Sequence, residues 1–180
     1  MTPATTTLRA TAALTTGVLA LGMLAACTPQ PEPTPTKTAL FTSDEEAFKA
    51  AEETYRAYIE ASNKVDFSDP KTFEAVYAWN TGSALSAEKE ALTLYDAENL
   101  TRVGDGAFDS FEPLTASDDR ITARLCLDVS RVDLIREDGA SALPADRAPR
   151  AGREVTFTPG DTSTGLQISS NKFPDEDFQC

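Results

Sequence analysis

Ile121-Thr122-Ala123-Arg124-Leu125-Cys126-Leu127-Asp128-Val129 alternates apolar and polar residues along its whole length. Period-two alternation is what a strand shows when one face lies in a core and the other meets water. Ile121, Ala123, Leu125, Leu127 and Val129 therefore share the inward face, and Thr122, Arg124, Cys126 and Asp128 the outward one. Upstream of Leu100 the apolar residues recur instead at steps of three and four. The chain changes from helical to strand periodicity past its midpoint, which predicts an α+β protein.

Three helices are expected before that change. Ser43-Asp44-Glu45-Glu46 is a capping box, with Ser43 as N-cap, Glu46 three residues on, and three acids suited to the positive end of a helix dipole. Phe48, Ala51, Tyr55, Tyr58, Ile59 and Ser62 then form one stripe, so the helix should run to about Lys64. Asp69-Pro70 is a cap followed by proline at the first helical position, with Phe73, Val76 and Tyr77 facing inward and an end near Asn80. Thr81-Gly82-Ser83 breaks the chain. A third helix is expected from Ala84 or Ala87 to Asn99, with Ala91, Leu92, Leu94 and Tyr95 apolar.

Strands follow. Val103-Gly104-Asp105-Gly106 is turn chemistry. A first long strand is expected over 107–114, carrying Phe108 and Phe111. Val132, Leu134 and Ile135 are read as continuing the 121–129 strand after a kink. Asp138-Gly139 ends it, and 141–152 is a polar loop. Segments 153–158 and 165–173 pair as a final hairpin around Pro159-Gly160-Asp161. The folded part, 43–180, is one domain by length, with no internal repeat.

The N-terminal region reads as an address and an anchor. Residues 1–9 carry Arg9 as their one basic side chain, and an apolar stretch follows over 10–23. Thr11, Thr15, Thr16, Gly17 and Gly22 make that stretch a poor spanning helix. It ends in Leu24-Ala25-Ala26-Cys27, a lipobox: small residues before a cysteine that is acylated and becomes the new N-terminus. Plain secretion is the rival reading, and it would leave Cys27 as a free thiol. Residues 1–26 are thus read as a lipoprotein signal peptide and 27–42 as lipidated Cys27 with its tether. Pro29, Pro31, Pro33 and Pro35 favour extended polyproline II there. The expected location is the outer face of the bacterial cell membrane.

Lipid on Cys27 leaves Cys126 and Cys180, an even number in an oxidising compartment, so a Cys126–Cys180 disulfide is expected, with two buried thiols as the alternative. The chain has 16 basic and 29 acidic residues, net −13. Loss of 1–26 removes Arg9 and leaves 15 against 29, net −14. Such a domain is repelled by an anionic membrane, so the lipid has to hold it there, and nucleic acid is excluded as a partner.

The order of elements resembles the cystatin-like cone of the nuclear transport factor 2-like superfamily, as found in small actinobacterial lipoproteins. Leu24-Ala25-Ala26-Cys27, the helix ending in Tyr55-Arg56-Ala57-Tyr58, Asp69-Pro70 before Phe73, and Cys126 with terminal Cys180 carry the resemblance. It implies three helices packed on a curved antiparallel sheet that encloses a conical pocket.

Candidate chemistry is sparse. The chain has no histidine, which removes the commonest general base and any Ser/His/Asp or Cys/His set. No nucleotide-binding loop or zinc cysteine pair appears. Enzymes of the resembled fold work with a pocket carboxylate and a tyrosine, which singles out Tyr55, Tyr58, Tyr77, Tyr95 and Asp96. Acidic clusters at Asp105-Gly106 with Asp109, at Asp118-Asp119 and at Asp175-Glu176-Asp177 lack calcium-loop spacing. The expectation is therefore no catalytic residue, metal or cofactor. The domain is read as a non-enzymatic module that binds an envelope protein or a small apolar ligand. The alternative is a cofactor-free isomerase or dehydratase using an acid–tyrosine pair. Phe48, Tyr55, Tyr58 and Ile59 should pack against Leu125, Leu127 and Val129, filling the cone and leaving no carboxylate buried beside a tyrosine hydroxyl.

Overall fold

A computed structural model describes residues 39–175 and 178–180. The expected signal peptide, Cys27 and all but the last residues of the tether lie outside the described residues, as do Glu176 and Asp177.

Helix α1 spans Asp44–Ser62, and Ser43 caps it by accepting from the Glu46 backbone N–H at 3.2 Å. The carboxylate of Glu46 reaches back one residue further than a capping box requires. It accepts from Thr42 N at 2.8 Å and Thr42 Oγ1 at 2.7 Å. Phe41, expected in the tether, packs against the core instead. The second helix divides into a 3₁₀ turn, Pro70–Phe73, capped by Asp69, and one turn of α-helix, α2 (Glu74–Tyr77). Helix α3 spans Gly82–Ala97, beginning before the expected Ala84. Its start is set from across the chain: Thr81 N–H donates to Ile168 O at 2.8 Å. Gly82 takes φ +52°, and a side chain there would begin 3.1 Å from Ser169 O, so glycine is needed twice over.

Six strands follow among the described residues. β1 (Thr101–Val103) pairs with β4 (Asp133–Ile135) as a small separate ribbon. The other four, β2 (Ala107–Ser117), β3 (Arg120–Asp128), β5 (Arg150–Pro159) and β6 (Leu166–Lys172), form one antiparallel sheet in the order β2-β3-β5-β6. Residues 132–135 therefore do not continue the central strand, as the sequence suggested. A turn closed by Val132 N–H to Val129 O at 3.0 Å redirects the chain toward β1.

The alternation read from 121–129 holds. Ile121, Ala123 and Leu125 are fully buried against α1, beside Val155, Phe157 and Ile168 of the neighbouring strands. A second cluster gathers Phe67, Phe73, Val76, Leu92 and Leu134 under the helices. The molecule is thus α+β, three helices packed on a curved antiparallel sheet. On the outer face of β3, Cys126 lies at disulfide distance from Cys180, 2.12 Å between sulfurs and 5.6 Å between Cα atoms. The terminal segment crosses the sheet there because Gly152, directly opposite Cys126, has no side chain. A Cβ on Gly152 would sit 2.9 Å from the Phe178 ring and 3.0 Å from its carbonyl oxygen.

Candidate functional site

α1 passes from one core cluster toward the other, and between them the cone is hollow. A cavity of about 400 Å³ is lined by Tyr58 and Ile59 of α1, Glu88, Leu92 and Tyr95 of α3, and Arg102 of β1. Leu127 and Val129 on the sheet side, and Arg153 of β5, complete most of its wall. Its size falls in the range of small-molecule sites. A second recess of about 330 Å³ adjoins it, and Tyr58, Glu88, Ala91 and Arg153 line both.

The polar centre of this wall is one hydrogen bond. Tyr58 Oη donates to Glu88 Oε2 at 2.9 Å, from α1 to α3. Both residues are half-buried. Burial raises the pKa of Glu88, while the Tyr58 hydroxyl and the charge of Arg102 pull it down. Burial also pushes the Tyr58 hydroxyl well above its ordinary value, and the Glu88 charge pushes it further. Tyr58 therefore holds its proton through the physiological range and remains a donor.

Three guanidinium groups share the wall with Glu88, and two are already committed. Arg102 donates to Ser62 O at 2.5 Å and to Asn63 Oδ1 at 2.6 Å. Asn63 is held in turn by the Gly106 backbone, donating to its carbonyl at 2.9 Å and accepting from its N–H at 3.0 Å. Arg147 donates to Val129 O at 3.1 and 3.2 Å and to Val132 O at 2.8 Å, closing the turn that precedes β4. Arg153 differs. Its guanidinium lies over the Phe173 ring at 4.2 Å and none of its nitrogens has a hydrogen-bond partner among the described residues, whereas in Arg102 only Nε, also buried, goes without one.

The structure sorts the candidates named from the sequence. Tyr58 and Tyr95 line the cavity. Tyr55 is fully buried one turn away, and its hydroxyl faces Asn171 without completing a hydrogen bond; burial raises its pKa to about 12. Tyr77 lies outside the cavity, edge-on to Phe73 and beneath Lys89. Asp96 is apart from the tyrosine pair, in a small recess with Phe67, Ser68 and Asn99. The acidic clusters are tied locally: Asp109 to Arg150 at 2.5 Å, Asp119 to Ser117 at 2.9 Å, Asp175 to Lys172 at 2.6 Å. Among the described residues no three His, Cys, Asp or Glu side chains come together as a metal site. No helix among them is long and apolar enough to cross a membrane.

The expectation of a filled cone is overturned. Tyr58, Ile59, Leu127 and Val129 line a cavity because charged side chains, not apolar ones, occupy the facing positions of α3 and β5. The acid beside a tyrosine is Glu88, which the sequence reading passed over. Its signal was present, since Ala84, Glu88, Leu92 and Tyr95 fall at steps of four, four and three on one face of α3. An acid on an apolar stripe is the mark that would have found it.

Solved structures share this arrangement of elements. The chain is similar to the intermembrane space region of chloroplast protein ARC6, with a TM-score of 0.50 and 13% identity over 69% of this chain and 94% of that one. It is similar to a ketosteroid isomerase-like protein from Erwinia carotovora atroseptica, TM-score 0.43, 18% identity, covering 72% and 95%. A third likeness is to Aln2 from a Streptomyces species, TM-score 0.44, 13% identity, covering 72% and 90%. At such identities the likeness is one of fold alone. No family model matches the sequence, and no curated protein matches it.

Proposed function

We propose that the chain is an exported, lipid-anchored protein whose cone takes a small, mainly apolar molecule and converts it through the Glu88–Tyr58 pair, as a cofactor-free isomerase or dehydratase. One observation carries the reading: a half-buried carboxyl and a tyrosine hydroxyl are hydrogen-bonded at 2.9 Å on the wall of a cavity of about 400 Å³. A carboxylate whose pKa is raised by burial is a stronger base than one in water. Glu88 would take a proton from carbon beside a carbonyl: the C–H bond breaks and an O–H bond forms on Glu88. Once protonated, Glu88 accepts less strongly from Tyr58. The tyrosine is then free to donate to the oxygen on which charge develops. Returning the proton at another carbon completes an isomerisation; loss of hydroxide with that proton completes a dehydration.

The test is exchange in deuterated water. The full chain, incubated with β,γ-unsaturated ketones and β-hydroxy ketones, should place deuterium on carbon. Glu88→Gln should slow this on the order of a hundredfold or more without abolishing binding. Binding by the wild type with no exchange and no product would sink the enzymatic reading. It would leave the non-enzymatic module, which the mutual satisfaction of Tyr58 and Glu88 favours. The anchor rests on Leu24-Ala25-Ala26-Cys27. The protein made in its host should partition into detergent with acylated Cys27 at its N-terminus, and Cys27→Ala should release it from the membrane; an unmodified Cys27 in the wild type would refute it.

A further inference from the structure

We propose that the ligand of the cone is an amphipathic carboxylate, an apolar body bearing one carboxyl group, and that Arg153 is the residue that binds that group. The inference rests on the reading of the cavity as a small-molecule site, and it adds the ligand's charge and the residue that reads it.

Arg153 occupies a position that packing alone does not explain. Its cross-strand neighbour is Leu125, which is fully buried on the concave face, and Val155 and Phe157 follow it at alternate positions on that face. The guanidinium there is half-buried and has gained no acceptor. It makes no ion pair or hydrogen bond to any described residue, and its Nε is buried and unpartnered. Buried donors in native proteins are almost always paired, so one that is not points to a missing partner. Tyr55 Oη and Asn171 Oδ1, both buried, also lack a hydrogen bond, and Asn171 lines the recess that Arg153 shares.

The contact Arg153 does make suits this role. The contact with Phe173, 4.2 Å from the guanidinium carbon to the ring centroid, takes up in a hydrogen bond none of the N–H donors along the edges of the guanidinium plane. Those edge donors form the fork that receives a carboxylate through two parallel hydrogen bonds. Neither of the other two arginines can offer as much, because Arg102 and Arg147 already donate to backbone and amide oxygens. Beside this head-group site the larger chamber offers Ile59, Phe67, Leu92, Leu127, Val129 and Leu134 as the apolar part of a mixed wall.

Charge supports the same assignment. The chain carries 29 acids against 16 bases, yet its cavity is lined by three arginines and one acid. An acidic protein that concentrates cationic groups in one cavity is arranged to draw an anion into it. A carboxylate brings one negative charge to match the guanidinium of Arg153. A phosphate dianion would bring a second charge close to Glu88.

Calorimetry on the full chain with 4-phenylbutanoate, 4-phenylbutan-1-ol and 4-phenylbutylamine tests this directly, because the three differ only in the head group. The carboxylate should bind at least tenfold tighter than the alcohol, and the amine more weakly than either. Arg153→Met should cut carboxylate affinity on the order of ten- to a hundredfold and leave the alcohol within about twofold. Arg153→Lys should recover part of the loss. Equal binding of acid and alcohol by the wild type overturns the proposal and needs no variant, so a folding defect in Arg153→Met cannot shelter it. A folded Arg153→Met that keeps the tenfold preference also overturns it, as does failure of all three probes to bind. 4-Phenylbutyl phosphate binding tenfold tighter than the carboxylate would overturn the carboxylate assignment. The exchange experiment is scored separately: these results can fail while exchange succeeds, and the reverse.

Discussion

Two ends of α1 face the same sheet and meet opposite fates. At Ala47, Ala51 and Tyr55 the helix is buried in one cluster with Ile121, Ala123, Val155 and Phe157. At Tyr58, Ile59 and Ser62 it lines a cavity. The difference lies in the partners. Opposite the first end the sheet supplies aliphatic and aromatic side chains in register. Opposite the second, Arg153 and Glu88 occupy positions where the pattern calls for apolar residues, and a charge cannot pack closely without a counter-charge or water. The lesson is that a cone is hollowed by the placement of two charged residues, while the apolar stripe of its central helix continues unchanged.

Phe157→Ala in the filled half should break the comparison most severely. It removes a fully buried ring with no room to relax, and should cost about 3–5 kcal/mol by denaturant unfolding. Leu127→Ala on the hollow side opens no new void and should cost about 1 kcal/mol. Comparable losses would mean that the cavity is packed in solution.

Removing the covalent link between strand and terminus comes next. Cys126 and Cys180 are 54 residues apart in sequence, and Cys126→Ala with Cys180→Ala should lower stability by about 2–4 kcal/mol. The link lies on the outer face, so affinity for cavity ligands should stay within about twofold. A native protein with two freely reactive thiols would contradict the bond.

The two tyrosines of α1 sharpen the contrast, because the same deletion should act in opposite directions. Tyr55→Phe removes a buried hydroxyl that makes no hydrogen bond, and should be neutral or stabilising by up to about 1 kcal/mol. Tyr58→Phe takes from Glu88 its donor and should cost about 1–2 kcal/mol at neutral pH, where the carboxylate is charged. Equal effects in the unfolding midpoint would remove the distinction between the two ends.

The smallest expected effect is in pH dependence. Burial raises the pKa of Glu88 above the ordinary carboxylate value of 4.5. Between that value and the raised one, the folded chain holds more protons than the unfolded chain. Stability contributed by Glu88 therefore falls as pH rises through this window, and the full penalty is present above it. Glu88→Gln should flatten this part of the stability–pH curve, and an unchanged slope would show that Glu88 is solvated.

Much of this architecture was legible in the residues. The Ser43 cap and the Asp69-Pro70 start are satisfied by neighbours within a few residues, and the alternation of 121–129 states a face whichever strands pair with it, so these readings survive folding. The ribbon of β1 with β4 was not legible, because a three-residue strand has no periodicity to detect and pairs only with a segment some thirty residues away. Phe41 was misread for a related reason: proline-rich composition marks a tether, but whether its last aromatic docks depends on a groove built by distant strands.

Sequence alone determined the change from helix to strand, the face on which Cys126 lies, the acidic surface and the lack of any histidine. These follow from periodicity and composition, which need no partner to be read. Tertiary structure alone decided that Glu88 meets Tyr58 and that Arg153 is left without an acceptor among the described residues. Each of these depends on which side chains arrive from α1, α3 and β5 at one point. A periodic pattern says which face a residue takes, and only the packed elements say what stands across from it.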